Sequence, residues 1–303
     1  MSNFLLIAVC MLAGFFLRKS GVLSKEASKG INTWIIYIAL PAVSFKFLPH
    51  IHWTKELIIP AAVPVIVWIG ALAWVWLYVK LSKKLVGKAT IGGMKIVSGL
   101  CNTSFVGFPL IMAYYGEDHL GIAVIPDQIT FILLSTVGLT AAIKGSSAGK
   151  FSFGLLARRI VKFPPVWGCV LALTLPHVVD LSPLDPMIDK LAGTVGPLAL
   201  FSIGLQLQFD GWKEELRPIL YMLSYKLLLA PLLIFLLLFL TGFRGPVAQI
   251  SVFEMAMPTL LTAGIIADEF NLNAKLVNLT IGLSILASFL TTAVWYQVLQ
   301  WLG

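Results

Sequence analysis

The sequence predicts an all-α integral membrane protein. It has ten transmembrane helices in a 5+5 inverted-topology repeat, with helices 4 and 9 broken. Three observations predict this. Only 12% of the 303 residues are charged, against 58% apolar, with a mean hydropathy of +0.92; soluble domains carry about 25% charge. The apolar residues run in stretches of about 20, enough to cross a bilayer as a helix, and do not alternate as β-barrel strands do. Lysine and arginine cluster in every second loop, as the positive-inside rule requires. Together these exclude a soluble globular protein, a disordered chain and a fibre.

The first apolar run, 2–17, resembles a signal peptide. It lacks a basic start, however, and Arg18-Lys19 follow it where a cleavage site belongs, so it is expected to stay as span 1. The others are expected at 28–48, 56–79, 90–115, 118–143, 163–179, 187–208, 216–241, 245–268 and 274–302. Of the 22 Lys and Arg, sixteen fall in the loops after odd-numbered spans. Lys55, Lys190 and Arg244 fall on the other side, and Lys46, Lys95 and Lys226 lie inside spans. This bias puts the loops after odd-numbered spans in the cytoplasm and both termini on the extracytoplasmic side. It also accounts for the net charge of +8 with no nucleic-acid partner.

Five spans per half force the second half to insert upside down. The expected repeats are 1–143 and 163–303, joined by a cytoplasmic linker at 144–162. In that linker Gly145 to Gly149 reads as flexible and Phe151 to Ile160 as a short amphipathic helix. Spans 2 and 7 share a central proline among small residues, Pro41 in LPAVSF and Pro197 in GPLALF. Spans 4 and 9 each carry a deep proline. Span 4 reads GLCNTSFVGFPLIMAYYG, with Asn102, Thr103, Ser104, Gly107 and Pro109. Span 9 reads SVFEMAMPTLLTAG, with Glu254, Met257, Pro258, Thr259 and Thr262. A proline frees a backbone carbonyl, and in lipid such a break survives only against protein or a water-filled cavity. One proline reads as a kink; two in matching positions point to a transporter's midplane site.

Buried charge is the second signal. Asp127 and Gln128 sit mid-span 5, Glu254 in span 9 and Lys226 in span 8. A charge there costs several kcal/mol (~3 or more) unless it is paired. Lys226 is therefore expected to meet a carboxylate or a substrate anion, or to be neutral; Asp127 and Glu254 are the available carboxylates, forming with it either a proton relay or a static ion pair. Lys46 and Lys95 are expected to snorkel. Cys10, Cys101 and Cys169 read as small apolar residues, and the four histidines as surface groups. No metal, nucleotide or hydrolase motif occurs, so no cofactor and no catalytic residue is expected.

In order, LPAVSF, CNTSFVGFPL, IPDQITF, FPPVWGCVLAL, GPLALFSIGLQL and MPTLLTAGIIADEF resemble the auxin efflux carrier family along the whole chain. The short basic loop 5–6 resembles its bacterial carboxylate permeases. The resemblance implies a fold related to the bile acid:sodium symporters. Helices 1, 2, 6 and 7 would form a scaffold, bearing Pro41, Ser44 and Pro197 and supporting a homodimer. Helices 3–5 and 8–10 would form a transport domain with crossover helices 4 and 9. It places Asn102 and Pro109 at the first crossover, Pro258 at the second, and Gln128 near a support site where sodium sits in sodium-coupled relatives. Glu254 departs from the family pattern. The reading is a secondary transporter of a small organic anion, not an enzyme. Asn102, Thr103, Ser104, Gly107, Pro109, Met257, Pro258, Thr259 and Thr262 are expected to line the substrate site. Asp127, Gln128, Glu254 and Lys226 are expected to hold a proton or Na+. Competing readings are a sodium-coupled bile-acid-type symporter and a ligand-sensing membrane module.

Overall fold

The computed structural model describes residues 2–24, 26–51, 54–82, 85–146, 154, 164–207 and 212–303. The described residues are helical apart from turns, extended links and one isolated antiparallel bridge, and they contain no β-strand. Six helices are long and apolar enough to cross a membrane: α2 (Ala27–His50), α3 (Lys55–Leu81), α6 (Glu117–Gly145), α8 (Ser182–Gln206), α9 (Leu216–Leu240) and α12 (Ala274–Leu302). The stretches expected as spans 1 and 6 hold α1 (Ser2–Lys19) and the 11-residue α7 (Pro164–Thr174), which are not among these six. Expected spans 4 and 9 each resolve into two shorter helices, α4 (Lys88–Gly99) with α5 (Thr103–Tyr114), and α10 (Pro246–Met255) with α11 (Thr262–Glu269). Most of the expected linker lies outside the described residues. Its supposed first flexible residue, Gly145, is instead the last residue of α6. It has no Cβ, and this lets α6 close on Gly92 of α4.

The chain forms two compact units that interleave its two halves. Unit 1 comprises Met1–Thr54, Ser104–Gln128 and Val161–Leu207; unit 2 comprises Lys55–Thr103, Ile129–Ile160 and Gln208–Gly303. Helices in lipid gain little hydrophobic drive from meeting each other, so they associate through small residues and interhelical hydrogen bonds. Unit 1 uses both. Gly14 of α1 lies on the Phe201 carbonyl and Gly204 of α8 on the Met11 carbonyl, so α1 and α8 touch backbone to backbone. Arg18 at the end of α1 donates to the carbonyls of Leu205 and Leu207, at 3.0 and 3.0 Å, which α8 leaves open at its C-terminus. Ser202 bonds Asn32 at 2.5 Å, and the Trp34 indole donates to Thr194 at 3.1 Å. Gly168 of α7 lies against Pro41 of α2, and beside it Ser44 meets Cys169 at 3.4 Å.

In unit 2, α4 is the central element and packs on α3, α6, α9, α11 and α12. Its small residues allow this: Gly92 faces Gly145, Gly93 faces Val277 and Gly99 lies under the Trp68 ring. Helices α3 and α9 are clamped reciprocally. The Trp74 indole donates to the Tyr221 carbonyl at 2.9 Å, the Tyr221 hydroxyl donates to the Trp74 carbonyl at 3.1 Å, and the two rings stack.

Candidate functional site

Helix α4 ends at Gly99, and Leu100 continues in extended conformation. Helix α10 ends at Met255, and 256–261 form the second break. These two stretches, both in unit 2, meet as an antiparallel bridge between Cys101 and Thr259. The Asn102 amide donates to the Pro258 carbonyl at 2.8 Å and the Leu260 amide to the Leu100 carbonyl at 3.1 Å. Two helix breaks thus satisfy each other's backbone while buried in protein, one of the conditions under which irregular chain is tolerated at membrane depth. Pro258 has no N–H to give, but its carbonyl serves as an acceptor.

Threonine 259 closes the rest of the junction. Its amide donates to Ser284 Oγ of α12 at 3.1 Å. Its hydroxyl donates to the Val97 carbonyl at 2.9 Å, which lies in the last turn of α4. Thr259 is therefore a structural strut, a role its place in the motif did not reveal. The serine strut, Ser284, was not anticipated at all.

In the hydrogen-bond pattern of this bridge, Cys101 and Thr259 form a non-hydrogen-bonded pair, with side chains on one face. The alternation of extended backbone turns Asn102 to the other face. Asn102 is fully buried, and neither its Oδ1 nor its Nδ2 has a hydrogen-bond partner among the described residues. Ser98 Oγ, in the last turn of α4, is likewise buried and unpartnered among the described residues. Unmade hydrogen bonds of this kind cost ~1–3 kcal/mol each and call for an explanation in a native fold.

The other expected residues are placed as follows. Thr103, Met257 and Pro258 are buried in unit 2, and Thr262 is half-buried at the start of α11. The first amides of α11, Ala263 and Gly264, are taken by the carbonyls of Leu260 and Leu261 at 3.1 and 3.2 Å. Those two donors are therefore not free for an anion. Ser104, Gly107 and Pro109 are buried in unit 1, on the π-helical turn Thr103–Gly107 and the start of the α-helix that follows. Pro109 packs near Gly196, which precedes Pro197 in α8. Asp127 is fully buried after Pro126 in α6, and Gln128 is half-buried; both belong to unit 1. Asp127 is felt electrostatically at Cys169. Glu254 is fully buried in the last turn of α10, in unit 2.

Lysine 226 is fully buried in a π-helical turn of α9, Ser224–Leu229. Its Nζ donates to Cys101 Sγ at 2.6 Å. The sequence left a carboxylate partner, a substrate anion or a neutral amine open for this lysine; its hydrogen bond goes to a thiol, which was not considered. Reading Cys101 as inert apolar filler missed this contact. A lysine on α9 and a cysteine at a break 125 residues away leave no common signal in the sequence. Lys46, expected to snorkel, is partly exposed and pairs with Glu117 at 2.7 Å and Asp189 at 2.9 Å, all within unit 1.

Proteins similar to this chain are named as transporters. An uncharacterized transporter of Methanothermobacter thermautotrophicus is 26% identical over 97% of this chain and 96% of its own length. An uncharacterized Escherichia coli transporter, YfdV, is 27% identical over 96% and 95%. A Rhizobium meliloti protein whose name proposes malonate transport is 29% identical over 88% and 85%. The family model described as "Membrane transport protein" matches residues 1–152 and 151–296. The chain therefore belongs to this family of membrane transporters, the auxin efflux carrier family whose motifs it carries.

Proposed function

We propose that this transporter carries a small organic anion of the malonate type, by secondary active, elevator-like alternating access. One observation carries the reading: Asn102, where two helix breaks meet, keeps both polar atoms buried and without a partner among the described residues. An amide offers donors on one side and an acceptor on the other. It can therefore grip one carboxylate oxygen and receive a hydroxyl or carboxylic acid proton from the same substrate. Malonate with one proton supplies both, and the Rhizobium meliloti relative is named for it.

The remaining assignments follow from this site. Thr103, Ser104, Gly107, Pro109, Met257, Pro258, Thr259 and Thr262 shape or line the path of the anion. Asp127, Gln128 and Glu254 hold the coupling proton, with Lys226 as the buried cation of the set. The ten spans form two inverted repeats. Helices 1, 2, 6 and 7, bearing Pro41, Ser44 and Pro197, serve as a scaffold and dimer surface in the inner membrane, with both termini extracytoplasmic.

Uptake of radiolabelled malonate into proteoliposomes, with pH and sodium gradients imposed separately, tests this reading. Losing a hydrogen bond to a charged group costs ~1.5–3 kcal/mol, so Asn102→Ala should weaken apparent affinity by about 10- to 100-fold. Flux should follow the pH gradient and ignore sodium. Wild-type affinity in Asn102→Ala, or flux that needs sodium, overturns it.

A further inference from the structure

The Lys226–Cys101 contact has a length that transport does not explain. Even an N–H···O bond has its mode near 2.9 Å, and sulfur is larger than oxygen. The 2.6 Å between Nζ and Sγ is therefore closer than a hydrogen bond to sulfur holds its atoms. It suits two atoms joined through a single shared neighbour. The sulfur's other polar contacts, the Met255 carbonyl and the Met255 sulfur, lie at 3.9 and 3.9 Å, so the thiol is committed to the lysine.

Both partners are held from either side. Flanking Lys226, the Tyr225 hydroxyl donates to the Val67 carbonyl at 2.6 Å, and the Leu227 carbonyl accepts from the Trp295 indole at 2.8 Å. Cys101 is fixed by the bridge to Thr259 and the two backbone bonds beside it. The lysine sits on a π-helical turn, a distortion that recurs at functional sites. Both side chains are buried, at 0% and 1% exposure. An ammonium in such a place is costly, and a covalent link would remove the charge of the amine and the proton of the thiol together.

We propose that Lys226 and Cys101 form a reversible covalent N–O–S bridge, with dioxygen as the oxidant. Dioxygen is apolar and reaches the site through lipid. One oxygen atom becomes the bridge, forming an N–O and an O–S bond. The other leaves as water, taking the thiol hydrogen and one amine hydrogen as the N–H, S–H and O–O bonds break. Nitrogen and sulfur give up two electrons each, and the two oxygen atoms take up the four. Two dithiol molecules reverse the step, yielding amine, thiol, water and two disulfides. The bridge ties α9 to the break after α4. It also withdraws Lys226 from the charged set of the transport reading, so oxidation would silence flux and reduction restore it. Its existence does not depend on that reading.

The test is mass spectrometry on the full-length protein, purified in detergent under air or under argon with dithiothreitol, and digested without reductant. The aerobic sample should contain the Cys101 and Lys226 peptides joined, heavier by one oxygen and lighter by two hydrogens than their sum. Dithiothreitol, Cys101→Ser and Lys226→Met should each abolish that species. Cys101 alkylation in denatured, unreduced wild type should rise several-fold after reduction, a readout that needs no variant to fold. Full alkylation of aerobic Cys101 without reduction overturns the bridge. So does oxidation confined to Cys101 as sulfinic or sulfonic acid. A bridge found in a protein that moves no malonate would overturn the transport reading alone.

Discussion

The two units answer the same demand, polar groups in an apolar medium, in ways that differ at the helix breaks. In unit 1 the contacts of α8 with α1 and α2 use polar side chains that end on partners, although Ser104 Oγ in the same unit is buried with no partner among the described residues. Arg18 reaches two open carbonyls, Ser202 reaches Asn32, and Trp34 reaches Thr194. Glycines bring the backbones close enough for this. In unit 2 long helices such as α3 and α9 are likewise joined by saturated contacts, but α4 and α10 end in breaks whose backbones satisfy each other, and Asn102 and Ser98 beside them are left with open valences among the described residues. Saturated contacts make a body that holds its shape. Open polar valences in a buried place wait for a ligand. Under the proposed function, the saturated contacts serve support and the open ones beside the breaks serve substrate binding.

The sharpest way to break the contrast is to overfill unit 1. A Cβ at Gly204 already meets the Met11 carbonyl, and the backbone has no rotamer to move away. Overpacking costs ~1–3 kcal/mol even where side chains can yield, so Gly204→Leu should give no monodisperse protein in detergent. Asn102→Ala, by contrast, should elute and melt as wild type while losing affinity. A Gly204→Leu protein with a wild-type elution profile and thermal midpoint would remove the distinction between saturated and open contacts.

A second substitution probes whether the breaks in unit 2 are built or accidental. Thr259→Val keeps the shape but takes the donor from the Val97 carbonyl, leaving a buried acceptor open at ~1–3 kcal/mol. The thermal midpoint should fall by a few degrees (about 2–6 °C). Ser284→Ala, which strips the acceptor from the Thr259 amide, should do the same. If neither variant moves the midpoint, the junction is not held by these struts.

Much of this was legible in the sequence because its causes are local. Pro258 lies in the second break and Asn102 of the Asn102-Thr103-Ser104 run in the first, whereas Pro109, read as the mark of that first break, lies inside α5. The cation count places loops without knowledge of packing. What escaped depends on residues far apart in the chain. Gly14 and Gly204 look like any other small residues until α1 lies along α8. Thr259 was read as a ligand group because its two structural partners, Val97 and Ser284, lie 162 and 25 residues away. Lys226 was matched to Asp127 and Glu254 by charge alone. Its contact with Cys101 joins a π-helical turn of α9 to the break after α4, a juxtaposition made by packing and not by any local pattern.

The smallest effect belongs to the most conspicuous charges of unit 1. Lys46 pairs with Glu117 and Asp189, yet its side chain is 25% exposed and each carboxylate is 57% exposed. Solvent screens such pairs, and ordering long side chains offsets much of the attraction, leaving ~0–1 kcal/mol. Lys46→Gln keeps most of the stem and removes the charge. Its midpoint should drop by about 2 °C or less, and the difference from wild type should shrink as salt is raised toward ~1 M, where the screening length falls to about 3 Å. A drop of about 5 °C or more, or one that salt leaves unchanged, would mean that these ion pairs bear on unit 1 as strongly as its glycine contacts do. Rigidity there would then rest on charge, and the contrast with unit 2 would have to be drawn on electrostatics instead of packing.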